Sequence, residues 1–196
     1  MKKFLIIILC CVLNVSAYSQ KLNMNKTDES GRLVISTVPK YFKLAKPGYM
    51  FGMGAYIANG SVEWYLQITS LSVIPESSEA LFRLGNDEVM HLTCKDVKID
   101  KWNTGGFSMG LPGSNMSIIS PTQSHDLYIS EFPLNREDLE KISQWGIKKI
   151  RVSSGTDFKD KIFSNNALGK YLIKCWNKIQ KEIGKKSDNK GIYDGF

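Results

Sequence analysis

The sequence predicts an α+β fold in one domain: a mainly antiparallel β-sheet or sandwich of about seven or eight strands with two helices. Three observations predict it. Residues 49–73 alternate apolar and polar side chains on either side of Asn59-Gly60, the pattern of a two-stranded hairpin. Strand-like runs outnumber helix-like ones and are joined by short turns, which disfavours a parallel, doubly wound sheet. Helical periodicity is confined to two stretches, about 136–145 and about 165–183. At 196 residues the chain suits one domain with an ordinary core.

The chain opens with Lys2-Lys3, an apolar run from Phe4 to Leu13, and small-residue cleavage sites at Val15-Ser16-Ala17 and Ala17-Tyr18-Ser19. This is the pattern of a secretory signal peptide over residues 1–19. An apolar run of ten helical residues reaches only about 15 Å, half of a hydrocarbon core of roughly 30 Å, so no transmembrane span is expected. Leu9 and Cys10 stand before Cys10 and Cys11, where a lipoprotein signal carries a small residue, which disfavours lipidation. The expected mature protein is exported: periplasmic, on the cell surface, or secreted. It divides into a flexible polar leader at 20–31, one β-rich domain at 32–184, and a loose basic tail at 185–196.

Arg32 to Val38 is apolar on both faces and reads as a buried strand ended by Pro39. Tyr41 to Leu44 reads as a short strand or as its continuation past a kink, and Pro47-Gly48 turns the chain into the hairpin. There, a two-residue loop at 59 and 60 puts opposite each other residues whose numbers sum to 119. Ile57 then faces Val62, Ala55 faces Trp64, Met53 faces Leu66 and Phe51 faces Ile68, all apolar pairs on one side. On the other side Gly54 meets Tyr65 and Gly52 meets Gln67, leaving space for the ring or for a partner. A second hairpin, Glu79 to Lys95, sets Ala80, Phe82 and Leu84 beside Met90, Leu92 and Cys94. This favours a three-residue loop, Gly85-Asn86-Asp87, whose Gly is first rather than third. Val97 to Trp102 reads as a further strand, and Asn103 to Asn115, rich in Gly and Ser, as a loop. Met116 to Ser120 and Leu127 to Phe132 read as short strands.

Asn135 caps the first helix, with Glu137 and Asp138 in its positive first turn. Leu134 and Leu139 form a hydrophobic staple, Glu137 and Lys141 an i,i+4 pair, and Gly146 the stop. Ile150 and Val152 then lead a strand. The last helix carries Leu168, Leu172, Cys175, Trp176, Ile179 and Ile183 as its apolar stripe, with Gly184 as its stop.

The export signal, closing on Ala17-Tyr18-Ser19-Gln20, resembles that of exported proteins from Bacteroidetes-type bacteria. The hairpin and the Leu134 to Val152 pattern resemble small uncharacterised exported proteins of the same bacteria. The resemblance implies an envelope setting and brings no activity, cofactor or site residue with it.

Charge is uneven. From Ile147 onward there are 12 Lys/Arg against 5 Asp/Glu, whereas from Gln20 to Gly146 there are 12 against 14. On the last helix Lys170, Lys174, Lys178 and Lys181 form a stripe that could meet an anionic lipid or glycan surface, or simply be a solvated face. Nucleic acid is not an expected partner, because no recognition motif accompanies the charge.

No coherent catalytic set emerges. Gly106-Phe107-Ser108-Met109-Gly110 matches the G-x-S-x-G pattern of hydrolase nucleophiles. However, Pro112 follows closely, no acid lies between Ser108 and His125, and no later histidine exists. Ser108 and His125 are therefore weak catalytic candidates. A hydrolase using Ser108, or a carboxylate pair not visible in sequence, remains the alternative to a non-catalytic binding module. His91 and Cys94 fall on opposite faces of a strand, which argues against a shared metal, and no cofactor signature is present. Trp102 and Phe107, beside the Gly-rich segment, are the binding candidates, weighed against closure of the sheet's end. Trp64, Trp145 and Trp176 read as core or core-edge residues. In an exported chain Cys94 and Cys175 can form a disulfide, worth roughly 4–5 kcal/mol on the entropic account, or remain two buried thiols.

Overall fold

The computed structural model describes residues 21–42, 48–104, 107–110, 117–120, 123–154 and 157–193; for 24, 102–123, 154 and those beyond 186, the description is of backbone alone. Residues 1–19, the expected signal peptide with Cys10 and Cys11, lie outside the described residues.

The fold is α+β and mostly antiparallel. Among the described residues are thirteen strands and two α-helices: β1 (Leu22–Thr27), β2 (Leu33–Thr37), β3 (Lys40–Phe42), β4 (Tyr49–Ala58), β5 (Ser61–Ser70), β6 (Glu79–Leu84), β7 (Val89–Thr93), β8 (Asp96–Thr104), β9 (Phe107–Gly110), β10 (Ser117–Ser120), β11 (Gln123–Leu134), α1 (Arg136–Trp145), β12 (Ile147–Ser154), β13 (Asp157–Ile162) and α2 (Ala167–Tyr193). A seven-stranded sheet runs β1-β2-β4-β5-β11-β8, with β3 also paired to β4. A four-stranded sheet runs β13-β12-β6-β7, and β9 pairs with β10.

The central hairpin has the expected register: Ile57 faces Val62, Ala55 faces Trp64, Met53 faces Leu66 and Phe51 faces Ile68. Asn59 and Gly60 take φ of 51° and 77°, the two left-handed residues of a type I′ turn. Phe51, Met53, Ala55, Leu66 and Ile68 are fully buried. Trp64 is half-buried and meets Trp176 of α2 edge-on at 6.4 Å.

The second hairpin also has the odd loop, with Ala80 opposite Leu92 and Phe82 opposite Met90. Asp87 supplies the left-handed third position at φ 67°, a role a short polar side chain tolerates. Gly85 is kept small for a different reason. A Cβ there would lie 2.1 Å from the Trp145 carbonyl oxygen, and the Gly85 N–H donates to Gly146 O at 3.3 Å. The hairpin loop thus sits directly on the end of α1.

Helix α1 is closed by a reciprocal box: Asn135 accepts from the Asp138 N–H at 2.7 Å, and Asp138 accepts from the Asn135 N–H at 2.9 Å. Leu134 and Leu139 are buried beside it, Glu137 pairs with Lys141 at 3.1 Å, and Gly146 donates its N–H to Ile142 O. Both sheets and both helices contribute to one buried cluster that includes Phe82, Phe132, Ile142, Ile150 and Leu172. Helix α2 lies on β4 and β2, burying Leu168, Leu172, Cys175 and Ile179.

Several expectations are corrected. The leader is not flexible over Leu22–Thr27, which is edge strand β1; its turn back to β2 is closed by the Asp28 carboxylate, which accepts from the Ser30 and Arg32 N–H groups at 3.0 and 2.9 Å. An edge strand needs backbone pairing more than burial, so its polarity carried no strand signal. The Gly/Ser stretch is partly strand, contributing the end of β8 and all of β9. The last helix passes Gly184 and runs to Tyr193, so the tail is helical backbone to that point. Trp145 is 46% exposed rather than packed in the core. Cys94 and Cys175 are free thiols, not a disulfide. Cys94 sits at the β7–β8 corner near Asp96 O, whereas Cys175 packs from α2 toward Thr37 and Tyr171; burial raises the pKa of both.

Strand β13 was not anticipated. Its Asp160 takes a two-pronged bond from Arg151 (2.7 and 2.8 Å) and a contact from Lys149 at 2.5 Å across the ladder. These hold the Asp160 carboxyl, chiefly through Arg151, well below the usual carboxylate range. A depressed folded-state pKa contributes stability that is present above the unfolded value of about 4 and lost as pH falls toward the folded value. Asp160→Asn is therefore expected to lower the urea midpoint at pH 7 and to flatten the acid limb. The two proteins' midpoints should draw together as pH falls below the unfolded value of about 4, and a gap that stays constant through that fall would refute the assignment.

Candidate functional site

The outward face of the seven-stranded sheet carries a polar cluster. Register places Glu131 of β11 between Gln67 of β5 and Asp96 of β8, and Lys98 opposite Ile129 on the same face. Tyr56 and Tyr65 come from the hairpin's glycine-lined side. The Tyr65 ring lies over Gly54, where a Cβ would be 2.2 Å from its hydroxyl, so the space seen in the sequence is filled by the ring itself.

Glu131 is 7% exposed and is the acceptor of the cluster. The Tyr56 hydroxyl donates to its Oε2 at 2.8 Å. Lys98 Nζ donates to its Oε1 at 2.6 Å and contacts Tyr56 Oη at 2.5 Å. Tyr56 and Tyr65 stack at 4.8 Å, and the Arg32 guanidinium lies 4.4 Å from the centre of the Tyr56 ring. Arg32 is itself held by Asp28 at 3.0 Å.

Burial raises the pKa of Tyr56 and Tyr65, and for Tyr65 the Glu131 charge adds to it. For Lys98, burial pulls downward, but the bonds to Glu131 and Tyr56 outweigh it and the net shift is upward. At neutral pH the cluster therefore presents a charged ammonium and neutral phenols. It offers fixed donors and acceptors rather than a proton poised to move, which general acid–base work requires.

A cleft of about 190 Å³ opens over this cluster. Arg32, Tyr56 and Glu63 form one wall, Lys95, Asp96 and Lys98 the other, with Tyr65, Glu131 and Pro133 between them. A second, shallower depression of about 410 Å³ lies beside His91 and Thr93 and reaches Asn135 and Asp138. Its two best polar groups are already engaged in capping α1, so it offers less to a ligand. Among the described residues no group of three or more His, Cys, Asp or Glu side chains is arranged to hold a metal ion.

The structure does not bring the sequence-derived candidates together at the cleft. Ser108 lies inside β9, opposite Ile119, and not at a strand-to-helix turn, so the nucleophile geometry of G-x-S-x-G is missing. The side chains of Ser108, Phe107 and Trp102 fall outside the described residues. His125, exposed on β11, pairs with Trp102 of β8 through the backbone ladder. His91 is exposed on β7. Lys170, Lys174 and Lys181 are exposed on α2, while Lys178 is half-buried and approaches Glu182 at 3.7 Å. Cys94 and Cys175 lie in the core.

Sequence reasoning missed Arg32, Tyr56, Lys98 and Glu131. One signal was present: Glu131 is the only acid in the apolar run Leu127 to Leu134. Its partners could not be read, because they depend on β11 pairing with strands remote in the chain. Comparison with protein-family models, curated proteins and solved structures finds no match to this chain, so its function must be argued from the cleft itself.

Proposed function

We propose that this protein is a non-catalytic binding module of the cell envelope, exported by its N-terminal signal and engaging an envelope component at the cleft over Glu131. The observation that carries the reading is the state of the cleft's polar groups. Glu131 is held by Lys98 at 2.6 Å and by the Tyr56 hydroxyl at 2.8 Å, so the cluster is built to hold contacts in place. Export is supported by Lys2-Lys3 and the apolar run that follows.

Peripheral attachment through the lysine stripe is the second reading, favoured by the exposure of Lys170, Lys174 and Lys181. Among the described side chains of α2, Leu168, Leu172, Cys175 and Ile179 are buried in the core and so are not free to insert into lipid. Only surface attraction remains, about 1 kcal/mol per lysine, which gives weak and salt-sensitive contact.

The test is capture from envelope extract by protein purified after export. Its N-terminus should begin at Tyr18 or Gln20. The expected result is a captured component that is lost when Glu63→Lys and Lys95→Glu are combined, with secondary structure unchanged by circular dichroism. Equal capture by the reversed cleft would overturn the reading.

A further inference from the structure

We infer that the cleft binds a small zwitterion, a free amino acid or dipeptide carrying an ammonium and a carboxylate a few bonds apart. This rests on the cleft being the binding surface proposed above. Three observations lead to it.

First, each wall carries both signs. Arg32 stands with Glu63 on one side, and Lys95 stands with Asp96 on the other. A simple anion drawn to Arg32 and Lys95 would meet Glu63 and Asp96, with Glu131 beneath. A simple cation would meet the reverse. A molecule bearing both charges satisfies both walls, and a mismatch with either sign is a repulsive contact that excludes the wrong ligand.

Second, of the charges around the cleft, Glu63 and Lys95 are the available ones, since Asp96 pairs with Lys98 at 3.5 Å and Arg32 with Asp28 at 3.0 Å. Glu131 and Lys98 are bound to each other and to Tyr56. Glu63 and Lys95 are exposed and, among the described residues, belong to no ion pair. Glu63 would take the ammonium and Lys95 the carboxylate, as charge-assisted hydrogen bonds.

Third, size and ring geometry disfavour other small ligands. About 190 Å³ is below the roughly 300–1,000 Å³ of drug-sized pockets. The Tyr56 ring is already engaged by the Tyr65 ring and by the Arg32 guanidinium, so it is a poor platform for a sugar.

The experiment is an NMR titration of the full exported chain with glycine, L-alanine and L-alanyl-L-alanine. N-acetylalanine, alaninamide and glucose serve as the blocked and neutral arms. The expected result is saturable shifts at the amides of Arg32, Glu63 and Lys95 with at least one zwitterion. Loss of either charge should weaken binding about tenfold or more, as expected for one charge-assisted hydrogen bond. Glu63→Gln should weaken the zwitterion but not N-acetylalanine, and Lys95→Gln the zwitterion but not alaninamide. Retained spectral dispersion would show that both variants fold. Whether amino acid or dipeptide saturates first distinguishes the two sources. Equal binding of the blocked compounds, or no saturation by any zwitterion, would overturn the inference. Shifts at the same amides with glucose or a blocked compound alone would do so while leaving the binding-module reading standing. Equal envelope capture by the charge-reversed protein removes that reading itself.

Discussion

Phe51→Ala is expected to lower the unfolding free energy by about 3–5 kcal/mol, the usual cost of emptying a buried phenylalanine site. Phe51 is completely buried, faces Ile68 in β5 and Lys40 in β3, and meets the Phe42 ring edge-on at 5.8 Å. Phe42 in turn contacts Phe163 at 5.6 Å and Tyr171 at 5.7 Å. Removing Phe51 therefore opens a void at the place where the hairpin, the short strand β3 and helix α2 meet. Such rings contribute about 0.5–1.5 kcal/mol beyond their buried area. Against a total stability of roughly 5–15 kcal/mol, the variant should be near the edge of folding. Urea denaturation should show a much lower midpoint with an unchanged slope. Phe51→Leu, which keeps most of the volume, should recover more than half of the loss. A loss below about 1 kcal/mol for the alanine variant would contradict this account of the core.

Gly85→Ala is the second large effect, expected to cost about 1–3 kcal/mol or more. The new methyl would meet the backbone of Trp145, with the carbonyl oxygen 2.1 Å and the carbonyl carbon 3.1 Å away. A flexible side chain could swing aside, but a helix end cannot. Either the β6–β7 loop or the last turn of α1 must move, and the Gly85 bond to Gly146 goes with it. Hydrogen exchange should localise the damage to the loop at 85–87 and the end of α1. The contrasting variant is Gly60→Ala, where nothing lies within 4 Å of the added atom and only the left-handed backbone resists. Its cost should stay near 1–2 kcal/mol and be confined to the hairpin tip. If the two variants lose equal stability with no change at α1, close approach is not the reason for Gly85.

Much of the fold was legible because local chemistry and side-chain alternation agreed. Asn59-Gly60 demanded a two-residue turn, and that turn put Phe51, Met53, Ala55 and Ile57 of β4 opposite Ile68, Leu66, Trp64 and Val62 of β5. Leu134, Asn135, Asp138 and Gly146 likewise marked α1 by capping rules acting within a few residues. Elements held mainly by their neighbours were missed. Strands β1 and β13 lie at sheet edges and have largely exposed side chains, so neither shows the alternation of a half-buried strand. Gly184 read as a helix stop because an interior glycine costs about 1 kcal/mol, yet the helix continues through it. The candidate site was the least legible part. Tyr56 and Tyr65 were visible as one face of a strand, but Lys98 and Glu131 reach them only through the non-local ladders β5–β11 and β11–β8. The serine, histidine and tryptophan that draw attention in sequence are chemically conspicuous residue types. The cleft uses commoner ones, made special by register.

That same ladder has a kinetic consequence. Strand β5 pairs Leu66 with Phe132, residues about sixty-six positions apart. The 49–70 ribbon can form within about 10 μs, but the sheet's middle stays incomplete until Gln123–Leu134 arrives. A nascent chain is thus left with a bare pleat edge from Ser70 to Leu134, about a third of its length, which slows collapse. The late-arriving strand thus sets the moment at which the sheet can close.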